Sequence, residues 1–234
     1  MAVSDKPGPR QRGRQDLHEK VRTARGRRSS STRWLQRQLN DPYVAEARRQ
    51  NYRSRAAFKL LQLDEKFAFL KPGRKVVDLG AAPGGWTQVA VAACGAGNVL
   101  ALDINPMEAV TGARFACADM QNAGTPDLVH KAMPGGVDIV LSDMAAPATG
   151  HRQTDHWRIM ALCEVALDLA EDILNPGGVF VAKVLKGGTE QELLARLKRN
   201  FSQVKHAKPG ASRADSSESY VVASGFRGPA GGNK

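Results

Sequence analysis

The run Lys75-Val76-Val77-Asp78-Leu79-Gly80-Ala81-Ala82-Pro83-Gly84-Gly85-Trp86 decides how the rest of the chain is read. Five residues suited to a buried strand end on a glycine, a turn of small residues follows, and an amphipathic segment begins at Trp86 and reaches Cys94. Strand, tight turn and helix start are the parts from which an open α/β sheet builds a nucleotide pocket at the carboxyl ends of its strands. Glycines let a backbone approach a ligand closely, and the first turn of the helix leaves N–H groups without partners.

Gly80 and Gly85 occupy the outer positions of the dinucleotide fingerprint, but Ala82 stands where the middle glycine admits a pyrophosphate. The loop therefore suits a cofactor that has an adenosine and no pyrophosphate, and S-adenosylmethionine is the candidate. A nicotinamide-dependent oxidoreductase is disfavoured for the same reason.

Working outward, βα units repeat. Strands are expected at 75–79, 98–103, 114–118, 138–142, 178–184, 202–207 and 220–225. Helices are expected at 55–69 with Ser54 as N-cap, from 86, at 127–132, at 156–174 capped by Asp155, and from the capping box Thr189-Glu190-Gln191-Glu192 to Asn200. Repeated βα units give a mostly parallel sheet with helices on both faces. The last two strands are joined by too few residues for a crossover helix, so the final strand runs antiparallel. The α/β class follows, as a seven-stranded, mostly parallel sheet with its last strand antiparallel.

The chain has 234 residues, enough for one domain and an appendage, and a net charge of +11. Of its 34 Lys/Arg and 23 Asp/Glu, residues 1–55 hold 15 and 5, leaving 19 and 18 for the remainder. A nearly neutral body with a cationic leading segment points to a polyanion, most simply nucleic acid. Three segments are expected: a basic, disordered RNA-binding arm at 1–33, one domain at 34–226 and a flexible tail at 227–234. No signal-peptide pattern and no membrane-length apolar run is present, so a cytoplasmic location is expected. Cys94, Cys117 and Cys163 sit in apolar segments and are read as buried, reduced thiols; they lack metal-ligand spacing, and no metal is expected.

Acidic residues close four strands: Asp78, Asp103, Asp119 and Asp143. Asp103 follows Gly80 by 23 residues, the distance at which an acid reaches ribose hydroxyls. Asp119 is placed to accept from an adenine amino group, and Asp78 to bond the turn's own amides. Lys183 lies inside Val179-Phe180-Val181-Ala182-Lys183-Val184, an otherwise apolar central strand, where a lysine must be paired or functional. Glu218, just ahead of Tyr220–Ala223, reads from the residues alone as an ordinary strand-edge acid.

Taken together, Asp78 to Trp86, preceded by Ser54-Arg55-Ala56-Ala57-Phe58-Lys59-Leu60 and followed by Ser142-Asp143-Met144-Ala145 and Val181-Ala182-Lys183-Val184, resemble the FtsJ (RrmJ) family over residues 30–225. Ser31-Thr32-Arg33-Trp34-Leu35 and the segment Lys208-Pro209 to Glu218 are similar to its bacterial branch. The resemblance implies a Rossmann-like fold and S-adenosylmethionine-dependent 2′-O-methylation of a uridine ribose in large-subunit ribosomal RNA, without an obligate protein partner. It implies a catalytic set of Lys183, Lys59, Asp143 and Glu218, with cofactor contacts at Gly84, Trp86, Asp103, Asp119 and Asp143. After Asp143-Met144-Ala145 the family usually continues Pro-Asn, whereas this chain has Ala146-Pro147, a departure in the substrate-side loop. The same chemistry on transfer RNA, and a non-catalytic RNA-binding module on the same fold, are the competing readings.

Overall fold

The computed structural model describes residues 29–147, 149–185 and 190–228. Most of the expected basic arm, Thr189 of the expected capping box and most of the expected tail lie outside them. The chain divides into two compact units, Met1–Ala45 and Glu46–Lys234, and the second carries the sheet. Helix α1 (Ser29–Leu39) begins within the stretch read as arm, and α2 (Pro42–Arg49) restarts after Asp41.

The body alternates as expected: α3 (Ala57–Phe67), β1 (Val76–Leu79), α4 (Gly85–Cys94), β2 (Val99–Asp103), β3 (Ala113–Cys117) and α5 (Thr125–Ala132). There follow β4 (Val137–Ser142), α6 (Arg152–Ile173), β5 (Leu174–Leu185), α7 (Glu190–Asn200), β6 (Phe201–Ala207) and β7 (Glu218–Phe226). The seven strands form one sheet in the order β3-β2-β1-β4-β5-β7-β6. β1, β2, β3, β4 and β5 pair in parallel, while β7 pairs antiparallel with β5 and with β6. The expected antiparallel last strand is found, inserted between β5 and β6.

Side chains alternate across a strand, and that parity builds two cores. Val77, Leu79, Phe180, Ala182 and Val221 face α5, α6 and α7, through residues such as Val129, Leu167 and Leu193. Val76, Val181, Tyr220 and Val222 face α3 and α4, through Leu60, Leu63, Val89 and Ala90. Lys183 shares parity with Val179 and Val181, and Glu218 shares it with Tyr220 and Val222. Both therefore belong to the face covered by α3, the helix that carries Lys59.

Three local expectations are corrected. Ser54 does not cap α3; the cap position is Ala56, without a side-chain bond, and Ser54 Oγ is buried with no hydrogen-bond partner. Helix α6 begins at Arg152, four residues ahead of expectation. His151 accepts from Thr154 N there, while Asp155 turns back to the loop and accepts from Thr149 N at 2.7 Å and Gly150 N at 3.2 Å. Cys94 and Cys163 are buried free thiols as expected, but Cys117 is exposed at the end of the edge strand β3. No described helix is long and apolar enough to cross a membrane.

Candidate functional site

The turn after β1 is held open by its glycines. Gly80 has φ 72° and lies so close to Met144 that a Cβ there would stand 2.9 Å from the Met144 Cα. Gly84, at φ 107°, is the cap position of α4, and its N–H donates to Ala81 O at 2.6 Å. Arg53 pins the far side of the turn, donating to Pro83 O at 3.1 Å and Ala109 O at 2.6 Å and also bonding Glu108 O.

Asp78 does not bond the turn amides as the sequence suggested. Its Oδ2 accepts from Thr87 Oγ1 at 2.7 Å, and its Oδ1 is buried with no hydrogen-bond partner. Burial pushes its carboxyl up to about 7, with the charges of Asp143 and Asp103 adding to the push and the Thr87 bond opposing it. Asp103 takes the organising role instead. Its Oδ2 accepts from Ala82 N at 2.9 Å and its Oδ1 from Asn105 N at 2.7 Å. At the end of β3, Asp119 Oδ1 accepts from Gln121 N at 2.9 Å.

A cleft of about 710 Å³ opens over this turn, and Gly80, Asp103, Ile104, Asp119, Asp143 and Pro147 are among its walls. Ile104 is 65% exposed, an unusual cost for an isoleucine that a flat apolar ring would cover. The cleft thus offers three carboxylates, an apolar wall and a close backbone approach at Gly80, a set that fits the hydroxyls, amino group and ring of an adenosine. Trp86 contributes its indole to the core rather than to the cleft: it is buried, donates from Nε1 to Ala56 O at 2.8 Å, and lies 5.6 Å from the Tyr220 ring centroid. The Ala146-Pro147 departure falls on the cleft wall, where Pro147 O faces Arg158 Nη1 at 3.5 Å.

Asp143 joins this cleft to a second constellation. Lys183 Nζ lies 2.8 Å from Asp143 Oδ1 and donates also to the Asp143 carbonyl at 2.8 Å. Lys59 Nζ lies 2.8 Å from Glu218 Oε1 and 3.9 Å from Asp143 Oδ2, and Lys183 Nζ lies 4.0 Å from Glu218 Oε2. Two amines and two carboxylates alternate, so that each cation faces both anions. Lys59 and Lys183 are each only 8% exposed. Charges this deep persist only when paired and hydrogen-bonded. Burial pushes the Asp143 carboxyl up, but Lys183, Lys59 and the hydrogen bonds from Lys183 and Tyr220 outweigh it and hold the group below its ordinary value.

Residue patterning singled out Asp143 and Lys183, while Lys59 and Glu218 entered through the family resemblance, the residues alone leaving Glu218 as an edge acid. The register explains why it is not one: Leu185 pairs with Glu218 and Lys183 with Tyr220 across β5 and β7, placing Glu218 beside the amines. Two residues were missed. Tyr220 donates to Asp143 Oδ1 at 2.6 Å and accepts from Lys59 Nζ at 3.1 Å. Burial, then the charges of Asp143 and Glu218, hold its phenol well above the ordinary tyrosine value, so it stays a neutral donor. Ser212 donates to Glu218 Oε1 at 2.8 Å. The signal for Tyr220 was its i, i+2 relation to Glu218 on one strand face; Ser212 lies in an irregular loop and carried none.

A sheet of this order, with a small-residue turn after β1 and acids closing β2, β3 and β4, defines a Rossmann-like α/β domain of the kind that carries methyl-transfer sites. Residues 52–226 match the model of the FtsJ-like methyltransferases. The Ribosomal RNA large subunit methyltransferase E of Rhodospirillum rubrum is 58% identical over 225 residues, covering 94% of this chain and 86% of that protein. Its namesake in Paramagnetospirillum magneticum is 59% identical over 222 residues, covering 92% and 91%. A crystal structure of a ribosomal RNA methyltransferase from Plasmodium falciparum superimposes with a TM-score of 0.66 at 30% identity, covering 76% of this chain and all of that one. This chain belongs to the FtsJ-like methyltransferase family.

Proposed function

We propose that this protein transfers a methyl group from S-adenosylmethionine to the 2′-hydroxyl of a uridine ribose in large-subunit (23S) ribosomal RNA. The observation that carries this reading is Asp143, which lines the adenosine-sized cleft and also holds Lys183 at 2.8 Å. One residue thereby ties a cofactor cleft to a buried amine. The names of the relatives support ribosomal RNA as the substrate.

Asp103 and Asp119 would hold the ribose and adenine of the cofactor, Ile104 would cover its ring, and Gly84 and Trp86 would offer main chain at the start of α4. Bound there, the cofactor supplies an activated methyl on a sulfonium leaving group. What the chain must supply is position and a destination for the hydroxyl proton. Lys183 is that group, acting as the base or as the cation that steers the developing alkoxide. Asp143 orients it through two bonds to one nitrogen. Lys59, balanced by Glu218 and Tyr220, keeps Asp143 and Glu218 from collapsing onto Lys183 alone. The cationic leading segment would bind phosphates without reading sequence, and cytoplasmic ribosomal particles are its expected target.

The test uses labelled S-adenosylmethionine and large ribosomal subunits from cells lacking this gene. Wild type labels a ribose, and Lys183→Met loses about 10²- to 10⁴-fold in kcat while retaining cofactor affinity. A limb in the pH–rate profile that disappears in Lys183→Arg assigns Lys183 as base; a flat profile assigns it as the steering cation. Label on a base, label on transfer RNA alone, or full activity in Lys183→Met overturns the reading.

A further inference from the structure

Among the described residues, the large apolar side chains left exposed are Leu39, Ile104 and Trp157. Ile104 belongs to the cleft. Trp157, 54% exposed in the second turn of α6, has no part in the machinery described above. Leaving half an indole in water is unfavourable, and an exposed aromatic beside a binding cleft marks a contact surface.

Its position is set by helical spacing. Arg158, Ala161 and Leu162 of α6 line the cleft. Trp157 precedes Ala161 by four residues, so it continues the same helix face one turn nearer the helix start. That start follows the loop running from Asp143 at the carboxyl end of β4. The indole therefore lies on the face of α6 that meets the cleft, one turn nearer the helix start than Ala161.

The surrounding charge selects the partner. Residues 151–158 carry two histidines and two arginines against one acid, Asp155. That acid is bound by Thr149 and by Gly150 N, which hold its carboxyl below the ordinary range. The His156 ring stands edge-on to Trp157, with centroids 6.4 Å apart. An exposed indole on a helix face that also carries Arg158 to the cleft matches a nucleobase with its phosphate, because every base has a stacking face and every linkage an anion.

We infer that Trp157 is a stacking platform for a nucleobase of the RNA strand, holding a nucleotide beside the one presented to Lys183. This rests on the RNA reading above and adds to it a contact that positions the strand.

A single-stranded uridine-containing RNA decamer is titrated into wild type, Trp157→Phe and Trp157→Ala, following tryptophan fluorescence and affinity by anisotropy of a labelled decamer. The expected result is quenching in wild type that is lost in both variants, with affinity reduced about five- to hundredfold in Trp157→Ala and largely kept in Trp157→Phe. Equal affinity in all three proteins overturns the inference. So does weaker S-adenosylmethionine binding with unchanged RNA binding, which would assign the indole to the cofactor. A defect seen only with whole ribosomal subunits would assign it to a protein partner and also overturns it. Methyl transfer by wild type is scored separately: its absence with the quenching intact overturns the enzymatic reading and leaves this contact standing.

Discussion

Replacing Asp78 by Asn should make the fold more stable at neutral and alkaline pH, and the size of the gain follows from where the carboxyl sits. Asp78 lies in β1 beneath the small-residue turn, fully buried, with one oxygen bonded to Thr87 and the other without a partner. Its folded value is about 7, against 3.8 for an ordinary aspartate. Below pH 4 the proton is bound in both states and nothing is lost. Between about pH 4 and 7 the unfolded chain releases the proton while the folded chain keeps it. The unfolded state then binds fewer protons, and stability falls as pH rises. A gap of about three units corresponds to about 4 kcal/mol, reached by pH 8. Asparagine keeps the shape and an acceptor for Thr87 but cannot ionise. Asp143, whose carboxyl is held low, works in the opposite sense: its contribution is present above the unfolded value and lost as pH falls below it, outside this window. Urea unfolding of both proteins from pH 4.5 to 8.5 should show curves that nearly coincide at the acid end. They should diverge by several kcal/mol at the alkaline end, a midpoint shift of about 1–2 M for a urea slope of about 2 kcal/mol per M. Parallel curves across the range would refute the assignment of a proton to Asp78.

Tyr220→Phe should cost about 1–3 kcal/mol of stability, since it removes a neutral donor from buried Asp143 and an acceptor from Lys59; denaturant unfolding checks this, and kcat should fall more than the KM for RNA. Gly80→Ala should lower the melting temperature by about 4–8 °C, because φ 72° disfavours a Cβ and that Cβ would meet the Met144 backbone; a calorimetric scan with an unchanged midpoint would contradict the described turn.

Much of the site could be read in the chain because it sits where strands end. Asp103, Asp119 and Asp143 each follow an apolar run, and Lys183 interrupts one, so type and position together announce chemistry. Local capping was harder to read. Ser54 and Asp155 both stand where a cap belongs, yet α3 and α6 start at other residues. A serine or aspartate near a helix start satisfies its own rule locally, and only packing decides which amide it reaches. Asp103 rather than Asp78 bonds the turn for a similar reason: Thr87 captures the first acid, while Ala82 N donates to the second.

The residue string by itself determined the α/β class, the small-residue turn after β1, and the antiparallel final strand, because these follow from short-range periodicity and loop length. Residue patterning did not show that Glu218 and Tyr220 face Lys59 and Lys183; the family resemblance implied it for Glu218, and the tertiary structure decided it for both. That depends on β7 inserting beside β5 in one register, and a shift of a single residue would turn both side chains to the opposite face of the sheet.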